Sequence, residues 1–333
     1  MNGEIVLAGI IFVFSIIASV LITKWWIKVA KRNELTGKDM NKFNGKNVAE
    51  AGGIAAVSAI ILGVLFYVFI KTFALGSSTH LVDILSILVT ILLAVFIGFV
   101  DDILGWKKGL KQWQKALMSL IIAIPLMVLN AGQHSMNIPF LGNVNFGLIY
   151  PLILIPIAIL GTTNGVNILA GYNGLEASLG TVIFLFLGIV SLKTGNVWLA
   201  VIAGIIVSAL LGFLYFNKYP AKVFPGDSLT YPLGALMGVF AILGNMEKLA
   251  LFVFIPFILE GILKLRSGLR AENFGVPNKD GSLEPRYPKN YSLTHVAIRL
   301  LKAIKGKADE KGVVYLIWAF ELLLVIIAMT WMI

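Results

Sequence analysis

The sequence predicts an all-α, polytopic integral membrane protein. Of its 333 residues, 58% are hydrophobic and only 13% are charged, and the mean hydropathy is +0.90. Soluble domains contain about 25% charged residues, so this composition excludes an ordinary soluble protein. The apolar segments run for roughly 20 residues without the alternation of barrel strands, which is the length a helix needs to cross a bilayer.

Ten such spans are predicted in a single transmembrane domain covering residues 1–333. They are 3–23, 52–75, 81–100, 114–131, 147–164, 177–193, 195–215, 229–245, 247–265 and 313–333. The divisions near 194 and 246 rest on the short turn sequences KTGN and GNMEK. The segment 266–312 is predicted to be a long cytoplasmic loop between the last two spans, and long loops often carry function. The lack of cysteine excludes disulfides and thiolate metal sites.

The basic residues predict the orientation in the membrane. All but three of the 27 Lys and Arg residues lie in or beside the loops that follow odd-numbered spans, and the exceptions are Lys71, Lys193 and Lys248. Basic loops remain in the cytoplasm, so these loops are expected there and both termini are expected outside. The net charge of +10 is therefore attributed to topology, and no nucleic-acid partner is expected.

The unusual polar sequences fall in the same set of loops. They are LTGKDMNKFNGKNVAEAGG (35–53), DDILGWKKGLKQWQK (101–115), TTNGVNILAGYNGLEAS (162–178), NKYPAKVFPGDSLTYP (217–232) and LRSGLRAENFGVPNKDGSLEPRYPK (265–289). Each has a purely structural interpretation when taken alone: Asp101 and Asp102 can end a helix, and Asp227 can cap one. Five polar loops on one face together predict a cytoplasmic active site.

These loops contain a set of hard oxygen donors. Asp101, Asp102 and Asp227 supply carboxylates, and Asn167 adds an amide carbonyl. Oxygen ligands of this kind suit Mg²⁺, with Mn²⁺ as the alternative, and these cations typically bridge phosphates. The pattern indicates phosphoryl transfer at the membrane surface.

Further residues are candidates to bind phosphate. Lys111 and Arg270 supply positive charge, and Gly171 is one of several glycines that permit close approach of the backbone. No Gly-rich loop ending in Lys-Ser or Lys-Thr occurs, which disfavours an ATP-binding cassette.

The motifs GFVDDILG, NGVNILAGYNGLEA and VFPGDS occur together, and GKDMNK is followed by Glu50 and AGG. With these motifs, nearly the whole chain resembles the polyprenyl-phosphate N-acetylhexosamine-1-phosphate transferases. It looks closest to the eukaryotic and archaeal branch, the UDP-N-acetylglucosamine–dolichyl-phosphate N-acetylglucosaminephosphotransferases. The phospho-MurNAc-pentapeptide translocase is the bacterial relative.

The resemblance implies roles at the catalytic centre. Asn167 and Asp227 are implied as direct Mg²⁺ ligands. Asp101 and Asp102 are implied to lie beside the metal, where they orient it or the lipid phosphate, with one of them as the candidate general base. Lys111 is implied to contact phosphate.

The resemblance also implies a nucleotide site. Asn173 and Phe224 are implied to hold the uracil, by hydrogen bonding and by stacking. Glu50, with Lys38 and Met40 nearby, is implied to lie close to the nucleotide or the catalytic centre.

The fifth polar loop departs from the family pattern. The eukaryotic enzymes have an Arg-His-Arg cluster there and the bacterial translocases a histidine-rich motif, whereas this chain has RAE at 270–272. Only Arg270 matches, so the role of this loop in clamping pyrophosphate stays open, with Arg266 or Lys279 as alternatives.

The implied reaction transfers N-acetylglucosamine-1-phosphate from UDP-N-acetylglucosamine to a polyprenyl (dolichyl) phosphate, releasing UMP. This is the first membrane step of lipid-linked glycan assembly for N-glycosylation. A bacterial-type undecaprenyl-phosphate transferase using another UDP-amino sugar is the main alternative, and a transporter or an inactive membrane protein are others. Membrane lipid is an expected partner, and the oligomeric state is left open, with a homodimer as one alternative.

Overall fold

The computed structural model describes residues 2–105, 109, 112–138 and 142–332. Its α-helices are α1 (Asn2–Arg32), α2 (Gly53–Phe69), α3 (Leu81–Leu104), α4 (Gln112–Val128), α5 (Ile155–Ile168), α6 (Leu175–Lys193), α7 (Val197–Asn217), α8 (Asp227–Leu243), α9 (Glu247–Val253), α10 (Ile255–Leu265), α11 (Leu293–Lys305) and α12 (Glu310–Trp331). Two π-helical segments, Ile70–Ala74 and Tyr150–Leu154, extend α2 and precede α5. The strands form three antiparallel hairpins: β1 (Thr36–Lys38) with β2 (Asn47–Ala49), β3 (Ser135–Ile138) with β4 (Gly142–Asn145), and β5 (Val276–Pro277) with β6 (Leu283–Glu284).

Seven of the described helical segments are long and apolar enough to cross a membrane. They are Val6–Arg32, Gly53–Ala74, Leu81–Leu104, Tyr150–Ile168, Leu175–Lys193, Val197–Asn217 and Glu310–Trp331. These segments coincide with seven of the predicted spans and confirm a mostly helical, polytopic membrane protein.

The other three predicted spans are shorter or divided. Helices α4 and α8 contain 17 residues each. The predicted span 247–265 is split into α9 and α10 around Phe254. Pro256 lies in the first turn of α10, where its missing N–H costs no helical hydrogen bond. The count of ten spans stays a prediction.

Helix α8 lies between α3 and α5 and is buried along almost its whole length, from Ser228 to Ile242. Glycines bring its neighbours close: a Cβ at Gly234 would lie 2.4 Å from the carbonyl oxygen of Thr162 in α5. Such close packing of small residues stabilises helix pairs in lipid, where apolar burial alone gives little advantage. The backbone of α5 is therefore held firmly against α8.

The first polar loop pairs with the segment that precedes α8. Phe224 donates its N–H to the carbonyl of Ala49 at 2.7 Å and accepts from the N–H of Gly52 at 2.8 Å. Ala49 also forms an isolated parallel bridge with Val223, and both side chains are fully buried. The end of β2 is thereby fixed beside the start of α8.

The predicted loop 266–312 is structured. It contains the β5–β6 hairpin and α11, whose N-terminus is capped by Ser292. The buried carboxylate of Glu260 in α10 accepts from Ser292 Oγ at 3.0 Å and from the N–H of Leu293 at 2.7 Å. Asp309 caps the start of α12. These contacts attach the segment to the helices on either side of it.

Candidate active site

The carboxylates of Asp101 and Asp227 meet where α3 ends and α8 begins. The ammonium group of Lys115, in the first turn of α4, donates to Asp101 Oδ2 and to Asp227 Oδ2, both at 2.7 Å. All three side chains are largely buried, with 12–20% of their surface exposed. A cation between two carboxylates offsets their mutual repulsion. Three separate segments thus form one charged centre, Asp101–Lys115–Asp227.

Asp102 points in a different direction from Asp101. Its Oδ1 accepts from the N–H of Asp227 at 2.7 Å, and its Oδ2 accepts from the N–H of Ser228 at 3.0 Å. The N-cap residue of α8 is Gly226, which has no side chain to satisfy these amides, so a carboxylate from α3 caps the helix instead. Asp102 therefore positions the N-terminus of α8 and with it Asp227, and its expected place beside a metal stays a prediction.

Glycines allow this close approach. Gly226 has a φ of +68°, and a Cβ there would lie 2.3 Å from Asp102 Oδ2. A Cβ at Gly98 in α3 would lie 2.2 Å from the carbonyl oxygen of Asp227. The glycines of GFVDD and FPGDS are therefore needed for the contact between α3 and the N-terminus of α8.

Asn167, near the end of α5, lies next to Asp227. Its Nδ2 donates to Asp227 Oδ1 at 2.7 Å and to Thr230 Oγ1 at 2.9 Å. The carboxylates of Asp101 and Asp227 with the amide of Asn167 make a donor set that fits an oxygen-preferring cation such as Mg²⁺. Within the described residues, no group of three or more His, Cys, Asp or Glu is arranged to hold a metal.

Glu50 follows β2 and lies beside the same centre. Its main-chain carbonyl accepts from Trp26 Nε1 at 2.9 Å, and its N–H donates to the carbonyl of Leu35 at 3.0 Å. Burial, and then the nearby charge of Asp227, raises the pKa of the Glu50 carboxyl. A carboxyl with a raised pKa beside a charged centre is a candidate to hold a proton there.

Asn173 lies in the turn between α5 and α6 and is only 5% exposed. Its Nδ2 donates to Asp39 Oδ2 at 3.2 Å, and Asp39 forms an ion pair with Lys42. The N–H of Asn173 donates to Glu310 Oε1 at 2.9 Å. The first polar loop, the third polar loop and the start of α12 thus meet at Asn173.

Other residues predicted for the site are more peripheral. Lys38 and Arg270 are exposed, and among the described residues neither forms a hydrogen bond or ion pair with Asp101–Lys115–Asp227. Met40 is half-buried, next to the buried Asp39. Lys111 lies outside the described residues.

In the fifth polar loop (265–289, the fifth segment), Glu272 stands where the family pattern has a basic residue. Its Oε2 accepts from Arg286 at 2.8 Å, so this acid is paired within the segment. The alternatives Arg266 and Lys279 are both exposed, and the Lys279 ammonium lies 6.0 Å from the ring centroid of Phe43.

Sequence reasoning missed Lys115 as a site residue. A signal was present, because Lys115 is the single charged residue within the predicted span 114–131. An ionisable residue inside a predicted span is by itself a reason to suspect a functional role.

Comparison with known proteins relates this centre to one family. Residues 84–245 match glycosyl transferase family 4. A Sulfolobus acidocaldarius protein, provisionally named UDP-N-acetylglucosamine–dolichyl-phosphate N-acetylglucosaminephosphotransferase, is 34% identical over 94% of this chain and 92% of its own length. The Dictyostelium discoideum protein named as that enzyme is 29% identical over 85% of this chain and 78% of its own.

A bacterial relative matches a smaller part of the chain. The phospho-N-acetylmuramoyl-pentapeptide-transferase of Clostridium perfringens is 37% identical over 50% of this chain and 54% of its own length. The family resemblance of the motifs is thereby confirmed. The chain belongs to the family of the UDP-N-acetylglucosamine–dolichyl-phosphate N-acetylglucosaminephosphotransferases.

Proposed function

We propose that this protein transfers N-acetylglucosamine-1-phosphate from UDP-N-acetylglucosamine to dolichyl or another polyprenyl phosphate, giving polyprenyl-diphosphate-N-acetylglucosamine and UMP. The observation that carries the proposal is the Asp101–Lys115–Asp227 centre, with Asn167 on the second oxygen of Asp227. A buried cation among oxygen donors suits a reaction between two phosphate groups. Similarity along nearly the whole chain to proteins named for this reaction supports the choice of substrates. The reaction is the first membrane step of lipid-linked glycan assembly for N-glycosylation.

The chemistry is an in-line displacement at phosphorus. An oxygen of the lipid phosphate attacks the β-phosphorus of the sugar nucleotide and forms the new diphosphate bond. The bond from the β-phosphorus to the bridging oxygen breaks, and its electron pair leaves with UMP. Lys115, already held among these groups, neutralises phosphate charge as the two anions approach.

Asp227 and Asn167 are the residues that would hold Mg²⁺, or Mn²⁺, and Asp101 would lie beside it. The bound cation supplies charge stabilisation on the pyrophosphate and on the departing UMP. A phosphate monoester is largely ionised near neutral pH, because its second pKa is about 6, so a strong base is not required. We assign any last proton to Asp101, since both oxygens of Asp102 are engaged by main-chain amides of α8.

The nucleotide end is assigned to neighbouring loops. Asn173 and Phe224 hold the uracil, and Gly171 lets the backbone approach it. Glu50 lies near the reacting phosphates, where its raised pKa favours a bound proton. Met40, beside the Asp39–Asn173 contact, adjoins the nucleotide.

Three basic side chains and the membrane orientation belong to the same proposal. Lys38, Lys111 and Arg270 contribute positive charge around the phosphates. The site faces the cytoplasm, with both termini outside, because the basic loops belong to that side.

A bacterial-type undecaprenyl-phosphate transferase with another UDP-amino sugar is the second candidate. It is favoured by the 37% identity to the Clostridium perfringens protein, which extends over only half of this chain. The match over 94% of the chain favours the dolichyl-phosphate enzymes.

A transfer assay tests the proposal. Purified protein receives Mg²⁺, UDP-N-acetylglucosamine labelled in the sugar, and either dolichyl or undecaprenyl phosphate. We expect label in the organic phase, blocked by EDTA and by Lys115→Met. Lys193→Met is the matched control, because Lys193 lies at the C-terminal end of α6, far along the chain from the charged centre. Folded protein that transfers no label from any of several UDP-amino sugars contradicts the proposal.

A further inference from the structure

The turn between α5 and α6 (residues 169–174, the α5–α6 turn) is held by side chains from outside it. Glu176 accepts from the N–H of Gly171 at 2.7 Å, and Glu310 accepts from the N–H of Asn173 at 2.9 Å. Both glutamates are at most 4% exposed. Because buried main-chain groups need partners, these carboxylates fix the amides of the turn.

Asn273, from the fifth segment, binds the other end of the turn. Its Nδ2 donates to the carbonyls of Ile168 and Ala170, both at 2.7 Å. The last carbonyls of a helix have no partner within the helix, so Asn273 closes the C-terminal end of α5.

Asn273 is itself held on two sides. Its main-chain carbonyl accepts from Thr294 Oγ1 at 2.6 Å and from the Tyr172 hydroxyl at 3.2 Å. Only 8% of Asn273 is exposed. The residue therefore joins the α5–α6 turn to the start of α11, with little freedom to move.

Asn41, from the first polar loop, makes a parallel connection. Its Nδ2 donates to the carbonyl of Gly171 at 3.1 Å, and its Oδ1 accepts from the N–H of Gly275 at 3.3 Å. Gly171 has a φ of +108°, and a Cβ there would lie 2.8 Å from the ring of Phe274. Asn41 thus connects the first polar loop, the α5–α6 turn and the fifth segment by hydrogen bonds around Gly171.

We propose that Asn273, assisted by Asn41, is a positioning residue for recognition of the uridine nucleotide. It acts through the α5–α6 turn by fixing the carbonyls and amides on either side of Gly171 before the nucleotide arrives. A preformed site loses less conformational entropy on binding. The fifth segment, whose sequence at 270–272 departs from the family pattern, then contributes to nucleotide affinity through Asn273. This inference rests on the proposed function, which places the nucleotide at this turn.

Asn273→Asp tests the inference with an almost isosteric change. A carboxylate removes both N–H donors and places negative charge against two carbonyl oxygens. Asn278→Asp is the matched control in the same segment, since the Asn278 side chain donates to Ser282 Oγ at 3.0 Å in the β5–β6 hairpin. The readouts are KM for UDP-N-acetylglucosamine, KM for the lipid phosphate, kcat, and the Kd of UMP by calorimetry in detergent.

For Asn273→Asp we expect KM for the sugar nucleotide and Kd for UMP to rise by about tenfold or more, as loss of two buried hydrogen bonds implies. KM for the lipid phosphate and kcat are expected to change much less, because Asn167 keeps its contacts with Asp227 and Thr230. Asn278→Asp should match the wild type. Asn41→Ala, which removes a single connection, should show the same pattern with a smaller rise.

Unchanged UMP affinity in both Asn273→Asp and Asn41→Ala, with only a lower melting temperature, would show a purely structural role and overturn the inference. If Asn273→Asp does not fold, Asn41→Ala decides by the same criterion. A wild-type protein that binds no UMP contradicts the proposed function itself, and the inference with it.

Discussion

Replacing Asp102 by Asn tests whether this carboxylate caps α8 or serves the reaction directly. An amide keeps one acceptor oxygen and replaces the other by an NH₂ group. Both oxygens of Asp102 face main-chain N–H donors. In Asp102→Asn, the N–H of either Asp227 or Ser228 therefore loses its acceptor and faces a second donor. Asp102→Asn is therefore expected to lower stability as well as activity.

The magnitude follows from the two contacts. A hydrogen bond to a charged acceptor contributes about 1.5–3 kcal/mol, and a negative charge at a helix N-terminus contributes about 0.3–1 kcal/mol. Asp102→Asn should thus reduce the free energy of unfolding by about 2–4 kcal/mol. Asp101→Asn is the control, because its amide oxygen can still accept from Lys115, and Lys115 retains its hydrogen bond to Asp227.

Thermal unfolding in detergent, followed by tryptophan fluorescence, provides the assay, together with transfer activity. We expect both variants to lose activity and Asp102→Asn to unfold several degrees below Asp101→Asn. An Asp102→Asn protein that unfolds like the wild type, or an Asp101→Asn protein that is the less stable of the two, would refute the assignment of the cap.

Three further predictions concern other residues. Asp227→Ala or Asn167→Ala should abolish transfer in folded protein, and near-normal turnover in either would contradict the metal assignment. Gly226→Ala should lower both stability and activity, because its Cβ would lie 2.3 Å from Asp102 Oδ2; a wild-type melting curve would argue against that contact. Burial and the charge of Lys264 lower the pKa of His295 from 6.5 to about 4, so the folded protein binds fewer protons than the unfolded chain between these values. Stability should therefore fall as the pH drops through this window, and His295→Gln should flatten the dependence in melting curves measured from pH 7 to pH 4; an unchanged slope would contradict this.

The sequence predicted the class of fold and named Asp101, Asp227 and Asn167 as site residues, but it did not identify Lys115. Long apolar runs identified the seven long spans, and the adjacency of Asn167 and Asp227 followed from their motifs. The sequence analysis did not predict the division of the span 247–265, because the helix is interrupted just before Pro256 without a change in hydropathy. The start of α8 likewise depends on Asp102 of α3, which accepts from the first main-chain amides of α8.

The separate roles of Asp101 and Asp102 were beyond sequence reasoning. Successive residues on a helix point about 100° apart, so one carboxylate faces Lys115 and the other faces the start of α8. Which of the two faces which partner depends on the rotation of α3 against its neighbours. Its positive charge and the family resemblance drew attention to Lys111, whereas tertiary packing brings Lys115 to the centre.

The hydrogen bonds made by Asn41 and Asn273 could not be predicted from the sequence either. Asparagine is common in polar loops, where it usually serves local turns. Here the two side chains bind backbone groups 130 and about 100 residues away, and nothing in their local sequence indicates those partners.

The position of one phosphate tests the central claim most directly. UDP-N-acetylglucosamine carrying radioactive phosphorus at the β-position is incubated with the protein, Mg²⁺ and dolichyl phosphate, and both phases are counted. Transfer of the sugar with its phosphate predicts label on the lipid and unlabelled UMP in the aqueous phase. Label retained in aqueous UDP, with the sugar on the lipid, would mean transfer of the sugar alone and would contradict the proposed reaction.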